Sequence, residues 1–142
     1  VFTACGQMCV GVERVYVFDA IYDEFVARVV AKTKALRQGA PLGDRVVDCG
    51  AMTMPRQLEI LESLLADATS KGAKILVGGG RTPGMRGQFF EPTVLVDVDH
   101  SMRIIREEQF GPILSVVRVV GEEEAIALAN DTEYGLGSSV FT

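Results

Sequence analysis

The sequence has few of the residues and segments that mark several large classes of protein. One histidine and three cysteines among 142 residues are too few and too scattered to predict a compact metal site. An odd number of cysteines, without the layout of a secretory signal, argues against a disulfide framework. We therefore expect free thiols in a reducing, cytoplasmic compartment. No apolar run approaches the roughly 20 residues that a membrane-spanning helix needs.

Basic residues are also in the minority. The chain carries 14 Lys and Arg against 19 Asp and Glu, which gives a formal net charge of −5. Phosphate backbones and anionic lipids repel such a chain, so we expect neither nucleic acid nor a membrane as a partner. Its length is typical of one domain and is sufficient to bury a core.

The order of the hydrophobic patterns predicts an α/β domain. Runs rich in β-branched residues predict strands at residues 14–18, 73–77, 93–98, 113–120 and 135–141. Apolar residues at helical spacing predict helices at residues 21–37, 55–71 and 122–130. Asp19 is the expected N-cap of the first helix, and Pro55 is expected to start the second. The alternation of strands and helices predicts a layered fold with a largely parallel sheet flanked by helices.

Two stretches between these elements are predicted to be loops. Residues 41–53 lack a periodic pattern. Residues 78–87 (GGGRTPGMRG) are glycine-rich, which is typical either of a phosphate-binding loop or of a surface turn. A phosphate cradle would need a Lys-Ser/Thr ending and a following helix, and the stretch has neither. Its turn residues favour a surface hairpin or loop.

The most distinctive chemistry lies in the first eleven residues, VFTACGQMCVG. Gly6 can adopt backbone angles closed to other residues, so the chain can bend sharply before Cys9 and present its sulfur to a cleft. The amide of Gln7 can tie that bend down. Met8 and Val10 are apolar, and we expect them to form walls of a substrate pocket. The alternative is that Cys9 is a small buried hydrophobic residue, as free cysteines often are.

Three blocks of residues resemble motifs of one known family. Residues 2–11 read F-x-x-x-G-Q-x-C-x-G, which is similar to the active-site cysteine signature of the aldehyde dehydrogenase superfamily. Residues 107–112 read EEQFGP and resemble the E-E-x-F-G-P cofactor motif of that family. Residues 130–136 read NDTEYGL and resemble its N-x-x-x-Y-G-L segment. The blocks occur in the family's order, and the resemblance covers essentially the whole chain.

The resemblance implies oxidation of an aldehyde to a carboxylic acid with NAD or NADP, with NAD favoured. Cys9 would be the nucleophile and would pass through a hemithioacetal and a thioester. Glu108 would accept hydrogen bonds from ribose hydroxyls, and Phe110 would lay its ring against the nicotinamide. In an extended segment these two side chains would share a face. The apolar flanks of Cys9 favour an uncharged or weakly polar aldehyde.

Two other functions stay open at this point. An acylating relative would pass the thioester to coenzyme A instead of water, and a structural domain on the same scaffold would do no chemistry. For residues 107–112 the alternative is a charged surface turn with Phe110 in the core, and Glu107 is expected to be solvated or structural.

The resemblance also implies that the chain is a fragment of a catalytic domain. A nucleotide-binding segment with the general base would precede Val1, and a further tail would follow Thr142. The fragment alone is therefore expected to be inactive, and the full-length protein is expected to be a homo-oligomer, either a dimer or a tetramer.

The remaining candidate residues have weaker claims. His100 is expected to be a solvated loop histidine and only a poor candidate for the base of Cys9. Cys5 and Cys49 are expected to do no chemistry, because C-x-x-x-C is not a redox motif. Arg14 either braces the cysteine segment or covers the surface. Ala51 departs from the family's usual proline. Structural roles are expected for three residues of the third block, Asn130, Tyr134 and Gly135.

Overall fold

The computed structural model describes residues 1–42 and 45–142. In this part of the chain four strands form one mixed sheet: β1 (Arg14–Phe18), β2 (Lys74–Val77), β3 (Thr93–Val96) and β4 (Ile113–Val119). Their order is β1-β4-β3-β2. Strand β4 is parallel to both β1 and β3, and β2 is antiparallel to β3. The predicted α/β fold with a largely parallel sheet is confirmed, with β2 as its antiparallel edge.

The helices cover both faces of this sheet. They are α1 (Asp19–Lys34), α2 (Pro55–Ser70), the single turn α3 (Arg103–Arg106) and α4 (Glu122–Asn130). Helix α1 packs on one face, and α2, α3 and α4 pack on the other. Two hydrophobic cores result, one on each side of the sheet.

Strand β4 lies in the interior of the sheet and contributes to both cores. Its side chains alternate, so that Leu114 and Val116 join the core under α1 while Ile113 and Val117 join the core under α2. Of its seven residues, Arg118 is the exposed one. A strand covered on both faces reads as a continuous apolar run, which explains why the sequence identified β4 so clearly.

The second helix follows its sequence pattern closely. Pro55 occupies the first helical position, where its missing N–H costs no hydrogen bond. The predicted apolar stripe is buried along its whole length: Leu58, Leu61, Leu64, Leu65 and Ala68. Helix α2 is therefore fixed to the core by one continuous face.

The bounds of α1 differ from the prediction. Asp19 is the first helical residue rather than the N-cap, which is Phe18. The Asp19 carboxylate is paired with Arg118 of β4, and Asp23 binds the same guanidinium. The helix also ends at Lys34 rather than continuing to residue 37. Residues 37–39 instead hydrogen-bond with the segment around Cys49.

The predictions for the connecting segments agree with the structure in part. The glycine-rich stretch is a hairpin-like loop closed by a bridge between Arg81 and Phe90, as predicted. Part of the predicted 41–53 loop lies outside the described residues. The predicted strand at 135–141 is wrong: this segment is irregular and exposed, because no described strand pairs with it. Among the described residues, no helix is long and apolar enough to span a membrane.

Candidate active site

The loop that carries Cys9, here called the cysteine loop (residues 2–13), begins with three left-handed residues. Ala4, Cys5 and Gly6 have φ angles of 50°, 60° and 73°. A Cβ atom on Gly6 would lie 1.9 Å from the carbonyl oxygen of Gly111. Only glycine fits this contact, which presses the cysteine loop directly against the 107–112 segment.

The amide of Gln7 ties the bend down, as predicted. Its Nε2 donates to the carbonyl oxygens of Ala4, at 2.9 Å, and Ala51, at 3.3 Å. Its Oε1 accepts the backbone N–H of Thr53 at 2.7 Å. One side chain thereby joins the cysteine loop to the segment that enters α2.

Cys9 lies at the tip of a tight turn. The N–H of Gly11 donates to the carbonyl oxygen of Met8 at 2.8 Å, so Cys9 and Val10 are the central residues of the turn. Cys9 is exposed, which contradicts the alternative of a buried thiol. Met8 and Val10 are 42% and 60% exposed and line a depression of about 210 Å³. The exposed thiol therefore lies on a turn whose neighbouring residues in sequence line an apolar depression.

The two acidic residues of the 107–112 segment have different environments. Glu107 binds the guanidinium of Arg103 at 2.6 Å, and this hydrogen bond lowers the pKa of the Glu107 carboxyl. Glu107 is therefore a structural acid of the surface. Glu108 is exposed and lines a cleft of about 490 Å³.

Phe110 has an unusual backbone conformation. Its φ angle is 44°, which is unfavourable for a residue with a bulky side chain. The extended segment that the sequence predicted therefore does not continue through Phe110, and strand alternation does not place its ring on the face of Glu108. The ring is half-buried.

Gln109 fixes this conformation from the buried side, and the sequence analysis missed it. Its side-chain Nε2 donates to the carbonyl oxygen of Ile113 at 2.8 Å, and its own carbonyl accepts from Nε2 of Gln57 at 2.7 Å. It is only 2% exposed. A polar residue between two charges and a phenylalanine carries no periodic signal that would have revealed this role.

Glu13 is a second residue that the sequence analysis missed. Its carboxylate accepts the backbone N–H groups of Gln109, at 3.2 Å, and Phe110, at 3.1 Å. Burial raises the pKa of this carboxyl, although the two N–H donors act in the opposite direction. The cysteine loop and the 107–112 segment are therefore joined at two points, the Gly6–Gly111 contact and Glu13.

His100 is not the solvated residue that the sequence predicted. Its side chain is 11% exposed, with Nε2 3.0 Å from the Tyr16 hydroxyl and Nδ1 2.7 Å from the Asp131 carboxylate. The Tyr16 hydroxyl also donates to the carbonyl oxygen of Leu128. The histidine is thus part of a structural network that attaches the end of α4 to β1.

The other two thiols are buried, which agrees with a structural role. Cys5 and Cys49 have sulfur atoms 3.5 Å apart and are at most 1% exposed. The hydrogen bond between them and their burial raise the pKa of the Cys5 thiol. Arg14 lies over the ring of Tyr16, at 5.9 Å from its centroid, which favours neither of its two predicted roles.

A cleft of about 490 Å³ lies beside Glu108, a volume within the usual range for ligand pockets. Three carboxylates line it, those of Glu59, Glu107 and Glu108, and Arg103 in the same lining is already paired with Glu107. The exposed Glu108 carboxylate can accept hydrogen bonds from hydroxyl groups, and Arg56 is the second cation of the lining. The lining therefore suits the hydroxyl groups of a sugar better than a phosphate.

Comparison with known proteins identifies the family. The sequence model of the aldehyde dehydrogenase family matches residues 1–142. A 3,6-anhydro-alpha-L-galactose dehydrogenase of Vibrio sp. is 44% identical over 99% of the chain and 30% of its own length. The succinate-semialdehyde dehydrogenase [NADP(+)] 2 of Schizosaccharomyces pombe is 41% identical over 99% of the chain and 28% of its own length.

Solved structures agree with the sequence comparison. A Mycobacterium tuberculosis aldehyde dehydrogenase complexed with NAD+ superposes with a TM-score of 0.90 at 40% identity, over 95% of this chain and 28% of that one. The chain therefore spans between a quarter and a third of the length of these relatives. The match over all 142 residues shows that the chain belongs to the aldehyde dehydrogenase family.

Proposed function

We propose that this chain is the cysteine-bearing catalytic part of a longer polypeptide that oxidises an aldehyde to a carboxylic acid with NAD or NADP. The observation that carries the proposal is the position of Cys9. Its thiol is exposed on a turn whose loop is locked against the 107–112 segment. Family membership supports the reaction class, and the short coverage of the relatives supports a longer parent.

Cys9 acts as the nucleophile in this proposal. Its thiolate attacks the aldehyde carbon and forms a C–S bond, and the carbonyl π electrons move to oxygen to give a hemithioacetal. In this proposal the backbone N–H of Cys9 donates a hydrogen bond to that oxygen. Loss of a hydride from the same carbon leaves a thioester on Cys9, and attack by water then releases the acid and restores the thiol.

A bound nicotinamide coenzyme would supply the hydride acceptor. Glu108 would hold the adjoining ribose through its carboxylate, and Phe110 would provide an apolar surface for the ring. NAD remains the favoured coenzyme in our proposal, while the relatives include an enzyme named for NADP(+) and one complexed with NAD+. We further propose a homo-oligomer for the whole polypeptide and a cytoplasmic location.

The proposal is tested by coenzyme reduction in the whole polypeptide. Cys9→Ala removes the nucleophile, and we expect the aldehyde-dependent rate to fall at least about a thousandfold, as for an essential covalent catalyst. Cys5→Ala is the matched control, because it removes a buried thiol from the same loop and should retain activity. Retention of the rate in Cys9→Ala would contradict the proposal. Product analysis with and without coenzyme A distinguishes the acid from an acylated coenzyme.

The walls of the substrate depression are tested separately. We expect Met8→Ala and Val10→Ala to raise KM for an apolar aldehyde several-fold, because each removes apolar contact area. A small polar aldehyde is the control substrate, whose KM should change less. Equal changes for both aldehydes would contradict the assignment of Met8 and Val10 to the pocket.

A further inference from the structure

We propose that Glu13 is a positioning residue that holds the backbone of Phe110 in the conformation needed for coenzyme binding. This inference deepens the function proposed above and rests on it. Glu13 belongs to none of the three blocks that carry the family resemblance. Its claim comes from its contacts alone.

The Glu13 carboxylate binds two consecutive backbone N–H groups. Oε1 lies 3.2 Å from the nitrogen of Gln109 and 3.1 Å from that of Phe110, and Oε2 lies 3.3 Å from the nitrogen of Gln109. Two consecutive N–H groups converge on one acceptor only when the residue between their peptide units, here Gln109, is not extended. The carboxylate therefore fixes the peptide unit that enters Phe110. With that unit held, and with the carbonyl of Gly111 packed against Gly6, the φ of 44° at Phe110 is set from both sides.

The left-handed conformation of Phe110 needs an external stabiliser. A bulky residue disfavours positive φ, so the unrestrained segment would relax towards an extended backbone and would carry the ring elsewhere. Gln109 is held through hydrogen bonds with Ile113 and Gln57, but neither of these bonds involves the N–H of Phe110. Glu13 is the side chain in the described part of the chain that binds this N–H.

Glu13 is itself held rigidly. Its carbonyl oxygen accepts the N–H of Ser115 at 3.1 Å, which extends the parallel pairing of β1 with β4 by one residue. It also lies four residues after Cys9 in the cysteine loop. A group on a strand end can fix a loop more precisely than another loop can. Glu13 thereby sets the place of Phe110 relative to the turn that carries the nucleophile.

The charge of Glu13 is not paired in the usual way. The ion pairs in the described ranges do not include it, and it is half-buried. The charge of Glu108 raises its pKa and the charge of Arg14 lowers it. A carboxylate in this position is unfavourable unless N–H donors compensate it, so its negative charge and the Phe110 conformation depend on each other.

Protonation of Glu13 should therefore loosen Phe110. Burial raises the pKa of this carboxyl above its ordinary value of 4.5. The neutral acid is a weaker acceptor, so coenzyme affinity should fall as the pH drops through this pKa. The charge of Glu108 acts on the same carboxyl, but it is still present in a variant that alters Glu13 alone.

The test compares Glu13→Gln with wild type in the whole polypeptide. Glutamine keeps the size and one acceptor oxygen but removes the charge. We expect KM for the coenzyme at neutral pH to rise about tenfold, as for loss of a charge-assisted hydrogen bond, with kcat changed less than about threefold. The rise of coenzyme KM between about pH 8 and about pH 5 should be at least threefold smaller in the variant. Glu123→Gln, an exposed change in α4, is the matched control.

Three outcomes would overturn the inference. One is a coenzyme KM within twofold of wild type, and another is an unchanged pH dependence. The third is an equal loss in every kinetic parameter together with a lower unfolding temperature, which would indicate a merely structural role.

Direct titration with the reduced coenzyme separates this inference from the proposed function. If wild type binds the coenzyme but oxidises no aldehyde, the proposed function fails while a tenfold weaker Kd in Glu13→Gln still supports the inference. If wild type binds no coenzyme, both fail.

Discussion

At the scale of single residues, two glycines allow the cysteine loop and the 107–112 segment to pack directly against each other. The absent side chain of Gly6 allows the carbonyl of Gly111 to approach, and the absent side chain of Gly111 makes room for Leu61, whose methyl carbons would lie 2.6 and 2.7 Å from a Cβ there. The cysteine loop, the 107–112 segment and α2 thus form one stack without intervening space. The proposed nucleophile and the proposed coenzyme contacts are positioned by the same packing.

We predict that Gly6→Ala destabilises the chain by about 3 kcal/mol or more. The new methyl group would collide with a backbone carbonyl, and the φ of 73° adds strain for alanine. Gly50→Ala is the control, because a Cβ there meets nothing within 4 Å. Urea unfolding of both variants measures the difference. A Gly6→Ala midpoint equal to that of the control would contradict the packing described here.

Helix α2 supports the site at the scale of elements. Gln57 donates to the carbonyl of Gln109, and Leu61, one turn later, lies beneath Gly111. Both side chains belong to a helix anchored by a continuous buried stripe. The strained conformation of Phe110 therefore rests on regular secondary structure, which can hold it.

Truncation of α2 should loosen both the core and the site. Leu61 is fully buried, so Leu61→Ala should cost about 2–5 kcal/mol in unfolding free energy and should also raise the coenzyme KM of the whole polypeptide. The control is Leu42→Ala, whose side chain is 99% exposed and should change stability by less than about 0.5 kcal/mol. If Leu61→Ala lowered the unfolding free energy no more than the control does, helix α2 would not be the support of the site.

The network at the end of α4 predicts a pH dependence of stability. Arg106 and then His100 lower the pKa of the Asp131 carboxyl below its ordinary value of 3.8. A lowered pKa in the folded state means that the pairing stabilises the fold at neutral pH and is lost as the pH falls below about 4. Asp131→Asn should therefore lose less stability than wild type between neutral pH and about pH 3, with the exposed Glu133→Gln as control. Parallel curves for wild type and Asp131→Asn would contradict the assignment.

The elements and the site differ in how much of them the sequence predicts. Strand β4 and helix α2 follow local periodicity, because β4 is buried on both faces and α2 on one continuous face. The predicted bounds of β1 and α4 also agree with the structure. The motifs also identified Cys9, Glu108 and Phe110 as candidates. The positive φ of Phe110 was not predictable, because the residue is held among tertiary contacts, including a hydrogen bond to a carboxylate 97 residues away in sequence.

Other misses have the same physical origin. His100 is polar and follows a strand, so local pattern predicts exposure, but Tyr16 and Asp131 enclose it through tertiary contacts. Residues 135–141 end in the strand-forming pair Val140 and Phe141 and still remain irregular, because a strand requires a partner. Local sequence determines what a segment can form, and distant partners decide whether it does.

At the scale of the whole molecule, the 142 residues contain part of the groups that the proposed reaction needs. They hold the proposed nucleophile, an apolar depression and the cleft beside Glu108. The relatives are more than three times as long. We predict that the chain by itself reduces no measurable coenzyme in the presence of aldehyde, whereas the whole polypeptide does. Full activity from residues 1–142 would contradict the proposal that the rest of the polypeptide is needed for the reaction.

The proposed function depends most directly on a covalent bond between Cys9 and the substrate carbon. The direct measurement is acid quenching of the whole polypeptide during turnover with an aldehyde and coenzyme, followed by peptide mass analysis. We predict one acyl group as a thioester on Cys9, with Cys5 and Cys49 unmodified, and its disappearance when the coenzyme is omitted. An acyl group on another residue, or steady turnover with no acylated Cys9 trapped at any quench time, would contradict the account.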